Sequence, residues 1–160
     1  MQVAHIYAKL SYCKRRQVGC IIVKDNRIIS IGYNGTPPGW DNVCEDETGM
    51  TFPYVYHAEA NAISKLARSN ESGDKASIFT TVAPCLECAK LMAQLGICEV
   101  YYTDLYRGGT ERGEQALVFL KKCGIRVERL DTSFPSNPPD NDSLSIVMQA
   151  QDKPVKAHEH

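Results

Sequence analysis

Two short motifs, His57-Ala58-Glu59 and Pro84-Cys85-Leu86-Glu87-Cys88, constrain the fold of this chain more than any other feature. Each stands where a hydrophobic run gives way to the apolar spacing of a helix. Because Cys85 and Cys88 are three residues apart, both thiols point the same way if they lie in the first turn of a helix. A fold that also brings His57 to this pair places an imidazole, two thiolates and a carboxylate at one site.

One histidine and two cysteines are ligand types that zinc accepts. Three protein ligands with an open fourth position are typical of a catalytic zinc site, whereas a structural site is usually closed by a fourth Cys or His. We therefore predict that His57, Cys85 and Cys88 bind zinc and leave one position for water. Glu59 remains free to carry protons to and from that water.

The order H-x-E followed by P-C-x-x-C is the signature of zinc-dependent nucleobase deaminases, in which the glutamate is the general acid/base. In these enzymes hydroxide generated at the metal attacks C4 of cytosine or C6 of adenine. A C-x-x-C alone also occurs in zinc ribbons and redox pairs, but this sequence has no second C-x-x-C to close a ribbon. The complete signature favours the deaminase.

Composition narrows the class of protein further. A chain of 160 residues with 43% hydrophobic and 23% charged residues is expected to form one globular domain. The net charge of -1 argues against a protein that grips long nucleic acid, so we expect a small substrate. The odd number of cysteines, seven, and the lack of a signal segment predict reduced thiols in the cytoplasm, or the host cytoplasm for a viral source. No apolar run is long enough to predict a membrane span.

Hydrophobic periodicity predicts strands alternating with helices. The predicted strands cover residues 18–23, 27–31, 78–82, 98–103 and 125–128, and the predicted helices cover residues 2–12 and the stretches after residues 57, 84 and 109. Asp25-Asn26 predicts a hairpin turn. A hairpin followed by β-α units predicts one α/β domain over residues 1–130, with a mixed sheet of about five strands and helices on both faces. Residues 131–160 are proline-rich and polar, which predicts a loosely ordered tail.

Apolar residues at helical spacing predict which faces of the helices are buried. The predicted stripes are Val3, Ile6, Tyr7 and Leu10 in the first helix, Cys88, Leu91, Met92 and Leu95 in the third, and Ala116, Phe119, Leu120 and Cys123 in the last.

Three other segments are candidates for ligand contacts. The Gly32-Tyr33-Asn34-Gly35 stretch, with the prolines after it, predicts a shaped loop that is either a turn or a binding element. Lys14-Arg15-Arg16 is either a solvated basic turn or a phosphate contact. The segment 104–109 follows a strand at its carboxyl end, which is the edge of an α/β sheet where ligands bind.

These motifs together resemble those of the deoxycytidylate deaminases, a branch of the cytidine deaminase superfamily. The resemblance extends from about Ala4 to Val127 and includes Val18-Gly19 and the run from Tyr54 to Ile63. The zinc motif identifies only the superfamily. Gly-Tyr-Asn-Gly followed by Thr36-Pro37 narrows the resemblance to the dCMP branch.

The resemblance implies a three-layer cytidine-deaminase-like fold and the hydrolytic deamination of dCMP to dUMP and ammonia, which supplies dUMP for thymidylate synthesis. It places the zinc ligands at His57, Cys85 and Cys88 and the proton shuttle at Glu59. It further implies that the Ala58 amide holds the pyrimidine O2 and that the main chain of Ala83 meets the departing amine. Asn34 matches a residue beside substrate and effector, and Tyr106 matches a tyrosine near the nucleotide.

The resemblance also implies regulation. Members of this kind are homohexamers that dCTP activates and dTTP inhibits, with Mg²⁺ accompanying the triphosphate, and the Gly32-Tyr33-Asn34-Gly35 loop matches the effector-binding element. Some members hold a second zinc between two cysteines and two histidines. Cys13 and Cys44 match the cysteines, but residues 45–56 contain no histidine, so a second zinc is not expected.

Two alternatives stay open at this point. One is another zinc deaminase of the superfamily, acting on free cytidine, guanine or a tRNA base, and the other is a nonenzymatic binding protein stabilised by zinc. The sequence does not rank the basic residues that are chemically suited to hold a phosphate, which are Lys14, Arg15, Arg16, Arg27 and Arg107.

Overall fold

A computed structural model describes residues 1–131 of the chain. Its helices are α1 (Gln2–Ala8), α2 (Ala58–Leu66), α3 (Leu86–Leu95) and α4 (Glu111–Lys122), with a short 3-10 helix at Tyr106–Gly109. Its strands are β1 (Gly19–Lys24), β2 (Arg27–Tyr33), β3 (Ser77–Val82), β4 (Glu99–Asp104) and β5 (Arg126–Arg129). The tail predicted for residues 131–160 lies, from residue 132 onward, outside the described residues, so the domain boundary near residue 130 stays a prediction. None of the helices within residues 1–131 has the length and apolarity that crossing a membrane requires.

The five strands form one mixed sheet in the order β2-β1-β3-β4-β5. Strand β1 is antiparallel to both β2 and β3, whereas β3, β4 and β5 are parallel. Asp25 and Asn26 have φ of 50° and 56°, the left-handed conformation that a two-residue type I′ hairpin turn requires. The hairpin followed by parallel β-α units confirms the predicted α/β architecture.

Helices cover both faces of this sheet. Gly19 and Cys20 are successive residues of β1, so they point to opposite faces. On one face, α1 lies so close to β1 that a Cβ atom built on Gly19 would be 2.0 Å from the Ala4 carbonyl oxygen. On the other face, α2 lies equally close to Gly32, the partner of Cys20 in the neighbouring strand. Two glycines thus set the spacing between the layers.

The predicted apolar stripe of α1 is wrong at two of its four residues. Ile6 and Leu10 are 61% and 51% exposed, and the residues that face the sheet are Ala4 and Ala8. Only small side chains fit between main chains that approach as closely as α1 and β1 do. The helix also ends at Ala8, short of the predicted residue 12.

The main core lies between the sheet and the helices α2, α3 and α4. Ile22, Ile78 and Val100 are neighbours across the three central strands and are fully buried. Leu66, Met92 and Leu120 belong to the same buried cluster, one from each helix. Full burial of a side chain of this size contributes about 1.5–3 kcal/mol, so this cluster holds the three helices to the sheet.

Two further predictions of buried positions are wrong. Leu91 is 41% exposed, since α3 presents Cys88, Ala89 and Met92 to the core and Leu91 to an open groove beside Phe119. Cys123 is exposed because it follows the last residue of α4. Leu91 lies at the edge of the apolar stripe and Cys123 lies beyond the last helical residue, and periodicity alone resolves neither position.

Gly32 provides a test of the packing between α2 and the sheet. In Gly32→Ala the added Cβ would lie 2.2 Å from the Ala58 carbonyl oxygen and 2.5 Å from the Ala62 nitrogen, so helix and strand must separate. We expect a loss of about 1–3 kcal/mol in the free energy of unfolding, measured by chemical denaturation. Gly35→Ala is the matched control, because no atom lies within 4 Å of its built Cβ. A Gly32→Ala protein as stable as Gly35→Ala would contradict this account.

Candidate active site

The three predicted metal ligands meet where α2 and α3 begin. His57 is the N-cap residue of α2 and Cys85 is the N-cap residue of α3, both in extended conformation. Cys88 lies in the first turn of α3, and its N–H points to the Cys85 sulfur at 3.5 Å. Helix N-termini carry unpaired amides and partial positive charge, so this position favours thiolates.

The spacing of these side chains fits a zinc ion. The Nδ1 atom of His57 lies 3.3 Å from the Cys85 sulfur and 3.5 Å from the Cys88 sulfur, and all three ligand atoms lie within 4.8 Å of one another. Zn–S bonds of about 2.3 Å and Zn–N bonds of about 2.0–2.1 Å at tetrahedral angles put such atoms roughly 3.5–3.8 Å apart. Within residues 1–131 this is the one group of three or more His, Cys, Asp and Glu side chains close enough to hold a metal.

Glu59 lies beside the three predicted ligands but is not part of the group that could hold the metal. Its side chain is buried in the first turn of α2, and its Oε2 atom is 3.8 Å from the Cys88 sulfur. Burial raises the pKa of Glu59 to about 7. A carboxyl with this pKa exchanges protons readily near neutral pH, which is the property a general acid/base needs.

The two thiols differ in acidity because they share a hydrogen bond. The bond from Cys88, together with His57, lowers the pKa of Cys85 to about 4. The same bond and burial raise the pKa of Cys88. The Cys85 hydrogen bond raises the pKa of His57. Zinc bound by both sulfurs favours both thiolates and neutral imidazole, since a coordinating thiol is deprotonated.

A cavity of about 500 Å³ opens over this cluster. All four residues predicted to contact the substrate line this cavity: Asn34, Ala58, Ala83 and Tyr106. His57, Glu59 and Cys85 line it as well. A groove of about 650 Å³ between α3 and α4 holds none of these residues. The cavity over the cluster is therefore the candidate active site.

Two main-chain groups in the cavity are available to a ligand. Ala58 is the first residue of α2, so its N–H has no acceptor within the helix. Ala83 donates its N–H to the Asp104 carbonyl at 2.7 Å, which leaves its own carbonyl as the free main-chain group. The donor directly follows His57 in the chain, and the acceptor lies two residues before Cys85.

The sequence profile of the family described as the cytidine and deoxycytidylate deaminase zinc-binding region matches residues 1–104. This chain belongs to that deaminase family. It is 35% identical over 154 residues to the deoxycytidylate deaminase of Mus musculus, covering 91% of this chain and 85% of the mouse protein. It is 38% identical over 128 residues to the Homo sapiens deoxycytidylate deaminase, covering 74% of this chain and 71% of the human protein.

A solved structure shares the fold. The dCMP deaminase of cyanophage S-TIM5, crystallised with dCMP and dUMP, is 42% identical and superposes with a TM-score of 0.75. The match covers 81% of this chain and 92% of the phage protein. The predicted cytidine-deaminase-like fold is confirmed for this member of the deaminase family.

Three of the four residues of the predicted effector loop make packing or main-chain contacts within the domain. Gly32 lies in β2 beneath α2, and Lys65 stacks over the Tyr33 ring at 5.4 Å from its centroid. The Gly35 main chain pairs with Tyr56 through bonds of 3.1 and 2.8 Å, closing the segment between them. Of the four loop residues, Asn34 lines the cavity, and the allosteric role of the loop stays a prediction.

Sequence analysis missed one wall of the cavity. Residues 41–56 were not among the segments predicted to contact a ligand, yet six of them line the cavity: Glu45, Met50, Thr51, Phe52, Pro53 and Val55. Phe52 stacks on Tyr54 with ring centroids 5.0 Å apart. The aromatic residues of this segment were the signal that could have indicated its packed character.

The structure separates the five basic candidates. Arg15, Arg16 and Arg107 line the cavity, whereas Arg27 pairs with Glu71 at 3.4 Å and Lys14 lies outside the lining. Arg16 forms an ion pair of 3.0 Å with Asp104. Arg107 has a φ of 48°, a left-handed conformation that is costly for a residue with a side chain and that often occurs at binding sites.

Cys13 and Cys44 form a separate buried cluster with Val55. Burial and the neighbouring Cys13 thiol raise the pKa of Cys44 to about 12. No third side chain that could complete a metal site joins them within residues 1–131. These two cysteines are packed thiols in the described part of the chain.

Proposed function

We propose that this chain catalyses the zinc-dependent hydrolytic deamination of dCMP to dUMP and ammonia. The observation that carries this proposal is the buried Glu59 carboxylate, 3.8 Å from the Cys88 sulfur, in a cavity that also contains arginines. The similarity to deoxycytidylate deaminases of mouse, human and cyanophage supports the same substrate. Residues 1–130 form the catalytic domain in this proposal.

The proposed mechanism assigns a proton task to Glu59. His57, Cys85 and Cys88 would hold zinc, a Lewis acid that makes water nucleophilic near neutral pH. Glu59 takes one proton of the attacking water and delivers it to N3 of the ring, and it then passes the second proton of that water to the amine at C4 as the C4=O group forms. A C4–O bond forms, the C4–N bond breaks, and ammonia leaves. Burial of Glu59 keeps bulk water from competing for these protons.

Main-chain groups orient the base in this mechanism. The Ala58 N–H, at the N-terminus of α2, donates to the pyrimidine O2. The Ala83 carbonyl accepts a hydrogen bond from the departing amine. Asn34 and Tyr106 border the nucleotide, since both line the same cavity. The pyrimidine base is therefore recognised largely by main-chain groups.

Replacing Glu59 tests the proton task. We expect Glu59→Gln to retain one zinc per chain by elemental analysis and to lose about 10²–10⁴-fold in kcat for dCMP, the usual contribution of a general acid/base. Glu87→Gln is the matched control, because Glu87 is an exposed residue of α3 that pairs with Lys90. A zinc-loaded Glu59→Gln enzyme with a near-normal rate would overturn the assignment.

The arginines of the cavity favour a nucleotide over a nucleoside. Arg15 and Arg107 line the cavity, and neither forms an ion pair within residues 1–131. Arg16 is already engaged by Asp104. Two guanidinium groups without a carboxylate partner suit the 5′-phosphate of dCMP, which an arginine binds through paired hydrogen bonds.

Arginine substitutions separate dCMP from deoxycytidine as the substrate. We expect Arg15→Ala and Arg107→Ala each to lower kcat/KM for dCMP by about 10–100-fold, because a hydrogen bond to a charged group contributes about 1.5–3 kcal/mol. The rate with deoxycytidine should not change. Arg27→Ala, whose side chain pairs with Glu71 outside the cavity, is the control. Equal losses with both substrates would argue against a phosphate contact.

The alternatives make different predictions in the same assays. A deaminase for free cytidine, guanine or a tRNA base would release ammonia from that compound and not from dCMP. The net charge of -1 counts against the tRNA substrate. A nonenzymatic zinc protein would deaminate no cytosine compound, and it would leave the buried carboxylate beside the cysteines without a task.

The proposal extends to regulation and setting. We propose a cytoplasmic homohexamer, in the host cytoplasm for a viral source, that supplies dUMP for thymidylate synthesis and acts without long nucleic acid or a membrane. In it dCTP with Mg²⁺ activates and dTTP inhibits. Asn34 offers a physical route, since its Oδ1 accepts from the Val18 N–H at 2.8 Å and its Nδ2 donates to the Arg16 carbonyl at 2.9 Å. An effector that moves this loop therefore moves Arg16.

Kinetics test the regulation. We expect a sigmoidal response to dCMP that dCTP with Mg²⁺ makes hyperbolic and dTTP weakens, with a coupling of about 1–3 kcal/mol per effector. Asn34→Ala should blunt the dCTP effect, whereas Asn42→Ala, an exposed residue outside the cavity lining, should not. Light scattering measures the hexamer in parallel. Hyperbolic kinetics that neither triphosphate changes, with no triphosphate binding by calorimetry, would contradict this regulation.

A further inference from the structure

Glu45 connects two segments that are distant in the chain. Its Oε2 atom accepts a hydrogen bond from the Lys14 N–H at 3.2 Å, and its Oε1 atom accepts one from the Arg15 N–H at 3.1 Å. One carboxylate therefore holds two consecutive amides of the loop between α1 and β1. Glu45 is half-buried and lines the cavity, as Arg15 does.

We propose that Glu45 is a positioning residue for phosphate recognition, which sets the preference of the enzyme for a nucleoside monophosphate over a nucleoside. It acts through Arg15, because its carboxylate fixes the main chain from which the Arg15 side chain enters the cavity. This inference rests on the proposed deamination of dCMP. In this proposal Glu45 has no part in the proton transfers, which belong to Glu59.

A second tether holds the other half of the same loop. Asn34 binds the Arg16 carbonyl and the Val18 N–H. The loop is therefore hydrogen-bonded to Glu45 before the Arg15 side chain and to Asn34 after the Arg16 side chain. A long arginine side chain loses much rotamer freedom when it binds a phosphate. A main chain fixed beforehand reduces the rest of the ordering cost, so a tethered loop binds the phosphate more tightly than a free one.

The Glu45 side chain is not needed to close the turn that follows it. The turn from Asp46 to Met50 is closed by Asp46, whose Oδ1 accepts from the main-chain N–H groups of Thr48 and Met50 at 2.9 Å. Glu45 pairs with Thr51 through the main chain. Its carboxylate is thus left for the Lys14 and Arg15 amides.

The charge of Glu45 has two opposing effects on a bound phosphate. A negative carboxylate near the cavity repels a phosphate, and the same carboxylate places Arg15. Both of its oxygens accept hydrogen bonds from main-chain amides, at 3.2 and 3.1 Å, and hydrogen bonds to a charged acceptor are strong. Positioning therefore outweighs repulsion, and removal of Glu45 weakens rather than strengthens dCMP binding.

The test compares kcat/KM for dCMP and for deoxycytidine in wild type, Glu45→Ala and Glu45→Gln, with Glu47→Ala as the control. Glu47 is exposed on the same segment and lies outside the cavity lining. For Glu45→Ala we expect dCMP kcat/KM to fall about tenfold through KM, with deoxycytidine unchanged. Glu45→Gln should fall less, because its side-chain oxygen still accepts one amide. The inhibition constant of inorganic phosphate should rise with KM for dCMP.

A double variant shows whether Glu45 acts through Arg15. If it does, Glu45→Ala combined with Arg15→Ala should be no worse toward dCMP than Arg15→Ala alone. Additive losses would overturn the inference, as would an unchanged ratio of dCMP to deoxycytidine, an equal loss with both substrates, or tighter dCMP binding in Glu45→Gln. Should Glu45→Ala not fold, Glu45→Gln supplies the same comparison. Failure of wild type to deaminate dCMP would instead reject the proposed function.

Discussion

The close contact between the main chains of α2 and β2 fixes the rest of the site. Gly32 leaves no room for a side chain between strand and helix. The Ser30 hydroxyl donates to the Ala62 carbonyl at 2.7 Å, and the Asn61 amide donates to the Tyr33 carbonyl at 2.9 Å. Since these bonds lock the helix in both translation and rotation, its first turn has one position relative to the sheet. His57, which caps the helix, and Glu59 in its first turn are placed with it. The packing of α2 against β2 therefore sets the geometry of this part of the site.

Burying a carboxylate beside two cysteines is costly unless something offsets the charge. The amides at the N-termini of α2 and α3 face the cluster, and they stabilise negative charge on sulfur and oxygen. Zinc adds the larger positive charge in this setting. The same burial that raises the pKa of Glu59 to about 7 suits it to the proton transfer that we propose, so the energetic cost and the proposed chemical role have one origin.

Features encoded in neighbouring residues could be predicted from the sequence, and features that depend on distant contacts could not. The Asp25-Asn26 turn and the helix starts at His57 and Cys85 are local, and the structure places all three as predicted. The exposure of Ile6 was not predictable from periodicity, because it depends on how closely α1 approaches Gly19. The bonds from Glu45 to Lys14 and Arg15 span 31 and 30 residues, and no local pattern indicates them.

Chemistry and selectivity therefore have separate structural bases in this deaminase family member. The predicted metal ligands and the proposed proton carrier lie at two helix starts that the core holds in place. The cavity walls that would meet the rest of a nucleotide come from three segments, residues 9–18, 34–57 and 105–110, and side-chain bonds to main-chain groups join the first two. Loops tolerate substitution far more readily than a packed core does. A change of substrate within this fold thus requires new loop contacts, while the metal site stays as the helices and strands define it.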